Sequence, residues 1–338
     1  MSSSSPLTLE VMQLDFELDS SCLRALRTGA LAVEDRLAVF SIVGPGALTC
    51  LQGLLTSDLA AAGEHGLVYG AILTSKGMIL VDAWLWREGE RFTLLVAQHA
   101  RETAAQHFAR VLPPRLAAVR DLSESWSAVW LLGPLALERF ARATSSPLPS
   151  TGRVTAMGMG RESFLAAGPA LAPFGGLAVG PLLELAPMLE RFERGGARLG
   201  DPAAVAAARV LAGWPTLGRE IDERTLPQEV RYDELGAVSY VKGCYTGQET
   251  VARVHFRGHV NRSLRGVILD APGKQALDDR SLKAASKDAG VIRTALRFSE
   301  RIVALASVRR EIPEGATLLA GSCSATVVPL PFEPALVG

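Results

Sequence analysis

Apolar and polar positions change period several times along the chain. Leu37–Gly44 (LAVFSIVG) is a short continuous apolar run and predicts a buried strand. Pro45 then opens a stripe of Leu48, Leu51, Leu54 and Leu55 at helical spacing. The runs GLVYGAIL and MILVDAWLW are joined by Thr74-Ser75-Lys76-Gly77, which predicts two strands and a tight hairpin. RFTLLVA predicts a further strand, ARETAAQHFARVL an amphipathic helix and SAVWLLGP another strand. Residues 145–181 are rich in Gly, Pro, Ser and Ala, and their periodicity is weak. PLLELAPMLERFERGG reads as helix, with Pro187 marking its start or a kink. In DPAAVAAARVLAGWP, Asp201 is the expected N-cap, Pro202 the first helical residue and Gly213 the close. After Arg265 the runs RGVILD, RIVALASV, ATLLAG and SATVVPLPF are short and broken by turns, the pattern of a small all-β unit. Helices mixed with hairpins point to α+β architecture.

The chain of 338 residues is long enough for two or three such units, and its 48% hydrophobic content is that of a globular protein. The 35 basic and 35 acidic residues cancel, which argues against direct nucleic-acid binding over the whole surface. No apolar run approaches the ~20 residues of a membrane helix. The serine-rich start lacks the basic and apolar regions of a leader, so its first six or so residues are expected to form a loose tail. The four cysteines, Cys22, Cys50, Cys244 and Cys323, show no paired spacing, which fits a reducing cytoplasm. They offer neither a zinc site nor the four thiolates of an iron–sulfur cluster, so no metal is expected.

Cys244 differs from the other three. Cys22, Cys50 and Cys323 sit in apolar patterns and read as core. Cys244 lies in KGCYTGQETVARVHF, between Gly243 and Gly247 and two residues after Lys242. Thr246 and Glu249 are spaced for a capping box, which predicts a helix starting just beyond the thiol. A helix N-terminus and a nearby ammonium both favour thiolate over thiol. A small buried cysteine ahead of an ordinary helix is the alternative. From Lys242 to Arg265 five basic residues face one acid, so this segment is suited to an anion.

The stretch LPQEVRYDELGAVSYVKGCYTGQETVAR resembles the signature of the YgfZ-type folate-binding proteins, relatives of the glycine-cleavage T-protein in the aminomethyltransferase superfamily. The matching residues are Pro227, Glu229, Asp233, Lys242, Gly243, Cys244, Tyr245, Gly247, Gln248, Glu249 and Arg253. Weaker matches are LQGLLTSDL, GAILTSKGMILVD, AARVLAGWPTLGREI and VVPLPF. The resemblance implies a three-domain ring of two mixed lobes and a C-terminal β-barrel around a channel for tetrahydrofolate. It divides the chain into a discontinuous first lobe (1–38 with 118–255), a second lobe (39–117) and the barrel (256–338). It implies an accessory factor for assembly or repair of iron–sulfur client enzymes, including one that thiolates transfer RNA. Cys244 is then the reactive thiol, Lys242 its support, and Arg209, Asp82, Glu229 and Gln248 the folate contacts.

Two other readings stay open, a glycine-cleavage aminomethyltransferase and a non-catalytic client-docking module. Departures from the T-protein pattern speak against the transferase. Val81-Asp82 stands where the T-protein has two aspartates, Ala97 replaces an asparagine, and the glutamate that reads the pterin has no counterpart between 161 and 180.

Overall fold

The computed structural model describes residues 15–17, 20–160, 162–270, 280–298 and 301–333. The N-terminal tail expected from the serine run lies outside them. Three sheets organise the chain. In the first, the central order is Val68–Leu73, Ile79–Glu88, Arg91–Ala97, Leu37–Val43, Ala118–Asp121. Its strands are antiparallel neighbours throughout. Helix Arg101–Val111 covers one face through Ala104 and Phe108, and Phe108 meets Phe40 edge-on at 5.4 Å.

The second sheet has six strands in the order Arg198–Leu199, Leu31–Asp35, Trp126–Leu132, Gly176–Pro181, Phe164–Ala167, Val154–Ala156. Helices Ala136–Ala143 and Leu182–Arg194 bury Phe140, Met188 and Phe192 against it. Three of its strands fall in the stretch that looked irregular in the sequence. Phe164–Ala167 is buried at every position and Gly176–Pro181 at all but the last, so neither shows the alternation that marks a half-exposed strand.

The third sheet closes on itself. Ser281–Ala284, Lys287–Phe298, Arg301–Arg309, Arg262–Asp270, Cys323–Val328 and Thr317–Ala320 pair in turn, and the last pairs with the first. Closure leaves no free edge among these strands, and Val267, Leu269, Ile292 and Ile302 fill the interior. Asp15–Glu17 adds a parallel strand outside the ring against Ala295–Arg297. The expected α+β architecture with a C-terminal barrel is the observed one.

Several local expectations need correction. The helix after Pro45 runs only over Ala47–Gln52 and stops at Gly53. Leu54 and Leu55 are buried beyond it, and Leu55 bridges to Ile72 of the sheet. Pro187 lies inside helix Leu182–Arg194, past its first turn, and does not start it. By contrast, Asp201 accepts from the Ala203 amide, Pro202 is the first helical residue and Gly213 closes the helix with φ 64°, as the sequence predicts.

One buried cluster joins the three sheets. It contains Leu37, Tyr69 and Trp84 from the first, Leu31, Trp130 and Leu177 from the second, and Leu264, Leu296 and Val303 from the barrel wall. Val205 and Val210 of helix Pro202–Ala212 lie in the same cluster.

Candidate functional site

The signature segment folds as an irregular loop clamped to residues 53–57 beside the first sheet. Ser239 donates its amide to the Thr56 carbonyl at 2.9 Å, and the Thr56 hydroxyl donates to the Ala237 carbonyl at 2.6 Å. The Thr246 amide donates to the Gly53 carbonyl at 3.0 Å. These contacts hold the loop against the turn that follows helix Ala47–Gln52. Along the loop the side chains split: Lys242 and Tyr245 are buried, while Val241, Gly243 and Cys244 are exposed. Tyr245 joins the central cluster and Cys244 stands outside it. Among the other cysteines Cys22 is buried, as expected for core, and Cys50 and Cys323 are half-buried.

The expected capping box does not form. The N-cap is Gly247 in the left-handed region at φ 82°, without a side-chain cap, and the helix spans Gln248–Arg257. Gly247 sits so close to the hairpin of the first sheet that a side chain has no room. A Cβ there would lie 2.6 Å from the Thr74 carbonyl oxygen and 3.0 Å from Gly77 Cα. That close approach selects glycine over a capping residue. Gln248 folds back, its Oε1 accepting from the Tyr245 amide at 3.3 Å.

Lys242 points inward. Its Nζ donates to the Leu55 carbonyl at 2.9 Å and the Ser57 carbonyl at 2.8 Å, and lies 5.3 Å from the Tyr245 ring centre. Burial pushes its amine down to about 8 from the ordinary 10.5, and Asp58 offsets this only in part. The folded state thus binds this proton less tightly than the unfolded chain does. Across the window from about 8 to 10.5 the unfolded chain carries more protons, so stability rises with pH there. Below about 8 the full cost of the buried charge is present. Wild type should gain roughly 2–3 kcal/mol more than Lys242→Met between pH 7.5 and 10. Urea unfolding of both proteins at the two pH values measures this, and equal gains would contradict it.

A second group gathers in the central cluster. The Tyr69 hydroxyl donates to Asp82 at 2.7 Å and lies 3.0 Å from the Tyr232 hydroxyl. Because the Tyr69 proton goes to Asp82, Tyr232 supplies its own proton to that pair. Burial, followed by Asp82 and Tyr232, holds Tyr69 well above its ordinary range. Burial and then Asp82 do the same for Tyr232, opposed by its hydrogen bond with Tyr69 and then by Arg209. Both hydroxyls therefore remain donors at neutral pH. Trp84 stacks on Trp214 at 5.2 Å, and Tyr69 packs against both. Arg209 lies over the Trp130 ring at 5.3 Å and donates to the Thr216 hydroxyl at 3.3 Å. Its Nε, like the indole nitrogens of Trp130 and Trp214, is buried with no hydrogen-bond partner.

The structure thus brings Asp82 and Arg209 to one place around Tyr232, and puts Lys242 and Cys244 on one loop with Gln248 at the start of the helix that follows. Glu229 is elsewhere: its Oε2 accepts from the Leu226 amide at 2.8 Å and caps the short turn Pro227–Val230. Tyr69, Tyr232 and Trp214 escaped the sequence reading. The sequence signal for them is weak: Tyr232 directly precedes Asp233 in the signature, and Trp214 follows the Gly213 that ends a helix. Among the described residues no group of three or more His, Cys, Asp and Glu is placed to hold a metal ion. No helix among them is long and apolar enough to cross a membrane.

Comparison with known proteins agrees with this architecture. A family model described as the GCVT N-terminal domain matches residues 23–158. The tRNA-modifying protein YgfZ of Cronobacter sakazakii is 28% identical over 241 residues, 69% of each chain. An aminomethyltransferase of Rubrobacter xylanophilus is 28% identical over 300 residues, 86% of this chain and 79% of its own. A mitochondrial iron–sulfur cluster assembly factor IBA57 homolog of Pyricularia oryzae is 28% identical over 246 residues, 71% of this chain and 57% of its own. The crystal structure of the glycine cleavage system aminomethyltransferase T of Bartonella henselae superposes with a TM-score of 0.78 at 20% identity, covering 93% of this chain and 89% of that one. The fold is that of the aminomethyltransferase, and the matched domain and these relatives make the chain similar to the aminomethyltransferase superfamily and, within it, to its YgfZ-type members.

Proposed function

We propose that this chain is a tetrahydrofolate-binding accessory factor for the assembly or repair of iron–sulfur enzymes, with Cys244 as its reactive thiol. The observation that carries the reading is the placing of Cys244. It is exposed on a loop whose neighbouring side chains, Lys242 and Tyr245, are anchored in the protein. A thiol presented in this way can meet a client protein without losing its position. Lys242 supports it through the loop, since its ammonium is occupied by the Leu55 and Ser57 carbonyls. The names of two relatives, a tRNA-modifying protein and an iron–sulfur cluster assembly factor, point the same way. Four scattered cysteines without paired spacing suit a reducing cytoplasm.

The central group suits part of a folate. Arg209 Nε and the indole N–H groups of Trp130 and Trp214 are unpaired donors that a carboxylate- and carbonyl-bearing ligand satisfies. We assign Arg209 to the benzoyl–glutamate end. On the acceptor side Asp82 already receives Tyr69, which leaves the donors of a pterin poorly served. Folate, when bound, supplies a carrier for one-carbon units. Glu229 and Gln248 shape the signature segment through their bonds to Leu226 and Tyr245.

The test uses cells lacking their own member of this family, with methylthiolation of transfer RNA as the readout. Wild type should restore activity, and Cys244→Ala should leave less than about a tenth of it, as expected when a nucleophile or ligand thiol is lost. Equal rescue by both would remove the thiol from the function. If neither rescues while the purified chain moves a one-carbon unit to tetrahydrofolate, the aminomethyltransferase reading replaces this one. Rescue that survives loss of folate binding but fails when exposed Val241 and Phe256 beside the loop are made polar would favour a docking module.

A further inference from the structure

The basic segment that follows the signature leads away from the cysteine loop. Helix Gln248–Arg257 ends at Gly258, and the chain crosses through His259 and Asn261 into the first barrel strand at Arg262. There Arg262 stands directly opposite Arg309 in an antiparallel pair. Like charges in that position repel unless something neutralises them. Asp288, on a neighbouring strand, is the neutralising group. Its Oδ2 accepts from Arg262 at 2.6 Å and from Arg309 Nε and Nη2 at 3.2 and 3.1 Å. One carboxylate is thus shared by two guanidinium groups. Glu311 reaches Arg309 only at 3.9 Å.

A cavity of about 510 Å³ opens at this pair, lined by His259, Asn261, Arg262, Arg309, Arg310 and Glu311. Arg310 is exposed, and its side chain has no hydrogen-bond or ion-pair partner among the described residues. Its backbone is fixed, the amide donating to the Asn261 carbonyl at 3.0 Å. His259 is likewise exposed, with no polar side-chain partner among those residues. Three guanidinium groups, an imidazole and an amide therefore face one concavity whose lining holds one acid, Glu311, while Asp288 offsets the Arg262–Arg309 pair, in a protein whose charges otherwise balance.

We propose that this cavity is a binding site for a small phosphate-bearing anion. Arg forks match phosphate oxygens bidentately, and a phosphoryl group offers more oxygens than a carboxylate with which to engage several guanidinium groups at once. The volume exceeds what a lone phosphate fills, which favours a phosphoester or a diphosphate. The lining has no Phe, Tyr or Trp ring, and its charged groups direct recognition to the phosphoryl group. The site uses none of the residues assigned to Cys244 or to folate and stands independently of that reading.

The experiment titrates the full chain with inorganic pyrophosphate by calorimetry, beside Arg310→Gln and His259→Gln. Both substitutions are at exposed positions without side-chain partners, so the fold is retained, and circular dichroism verifies this. A control, Arg194→Gln, removes a charge from a different basic cavity, lined by Arg191, Arg194 and Gly195. Saturable binding to wild type is expected, weakened about tenfold by Arg310→Gln and less than about twofold by the control, the scale of one charge-assisted contact. No saturation up to about 10 mM, or equal weakening by Arg310→Gln and the control, would overturn the proposal. A short single-stranded RNA that binds without being displaced by pyrophosphate would overturn it too, because the surface would then read a polymer.

Discussion

Replacing Arg231 with alanine is expected to destabilise the protein by about 3–5 kcal/mol, the range for removing one partner of a buried charged network. Arg231 is 6% exposed and joins three segments that are distant in sequence. Its Nη1 donates to the Gly213 carbonyl at 2.7 Å and the Ala212 carbonyl at 3.3 Å, at the end of helix Pro202–Ala212. Its Nη2 donates to the Leu330 carbonyl at 3.2 Å, beyond the last barrel strand, and its Nε to Glu234 at 2.8 Å. Alanine leaves three carbonyls without this donor, and each buried unpaired acceptor costs about 1–3 kcal/mol. Backbone strain does not confuse the comparison, because the left-handed φ of 67° is equally unfavourable for arginine and alanine. A thermal scan should show a midpoint lower by roughly 4–7 °C. Arg231→Lys keeps the charge but not the fork, so an intermediate loss is expected. A drop of under about 1 kcal/mol for alanine would mean that the three segments are held by packing alone.

The second large effect is expected at Gly247. Gly247→Ala adds a Cβ where φ is 82° and where the Thr74 carbonyl oxygen would lie at 2.6 Å. The conformation alone costs about 1–2 kcal/mol, and the overlap with backbone forces the loop and the hairpin apart. Gly77 meets the loop from the other side, since a Cβ on it would lie 2.8 Å from Thr250 Cβ. The expected total is about 3 kcal/mol. Rescue of transfer RNA methylthiolation should fall as it does for Cys244→Ala, although the thiol is still present. Gly243 supplies the control. It lies next to Cys244, but a Cβ there meets nothing within 4 Å, and its φ is outside the positive range. Gly243→Ala should therefore be nearly neutral in stability and in rescue. If Gly247→Ala rescues as well as wild type, loop position does not matter to the thiol's task.

These two glycines show how far the sequence could be read. Both stand in the signature beside the cysteine, and nothing local separates them. The difference arises from the Thr74–Gly77 hairpin, well over a hundred residues earlier in the chain. Thr246 teaches the same lesson. Its spacing to Glu249 is right for a capping box, yet the helix begins after Gly247, because close packing on the hairpin takes precedence over a side-chain cap. Lys242 was legible as a partner of the loop, but its direction was not. The acceptors that draw it inward are backbone carbonyls, which every residue possesses and no sequence pattern marks.

The sequence by itself determined what depends on neighbouring residues. Alternation and apolar runs marked four of the first sheet's five strands and four of the barrel's six, missing Ala118–Asp121, Ser281–Ala284 and Lys287–Phe298. Asp201, Pro202 and Gly213 bounded their helix, because caps act within a few residues. The signature marked Cys244 as the residue to watch. Only the tertiary structure decided what depends on packing between distant segments. It found the fully buried strands Phe164–Ala167 and Gly176–Pro181, which lack a period because both faces are covered. It gathered the buried Asp82, Tyr69 and Tyr232 beside the half-buried Arg209, and it set Arg262 against Arg309 across the barrel wall. Such groupings follow from sheet register and layer packing, which bring together residues with no relation along the chain.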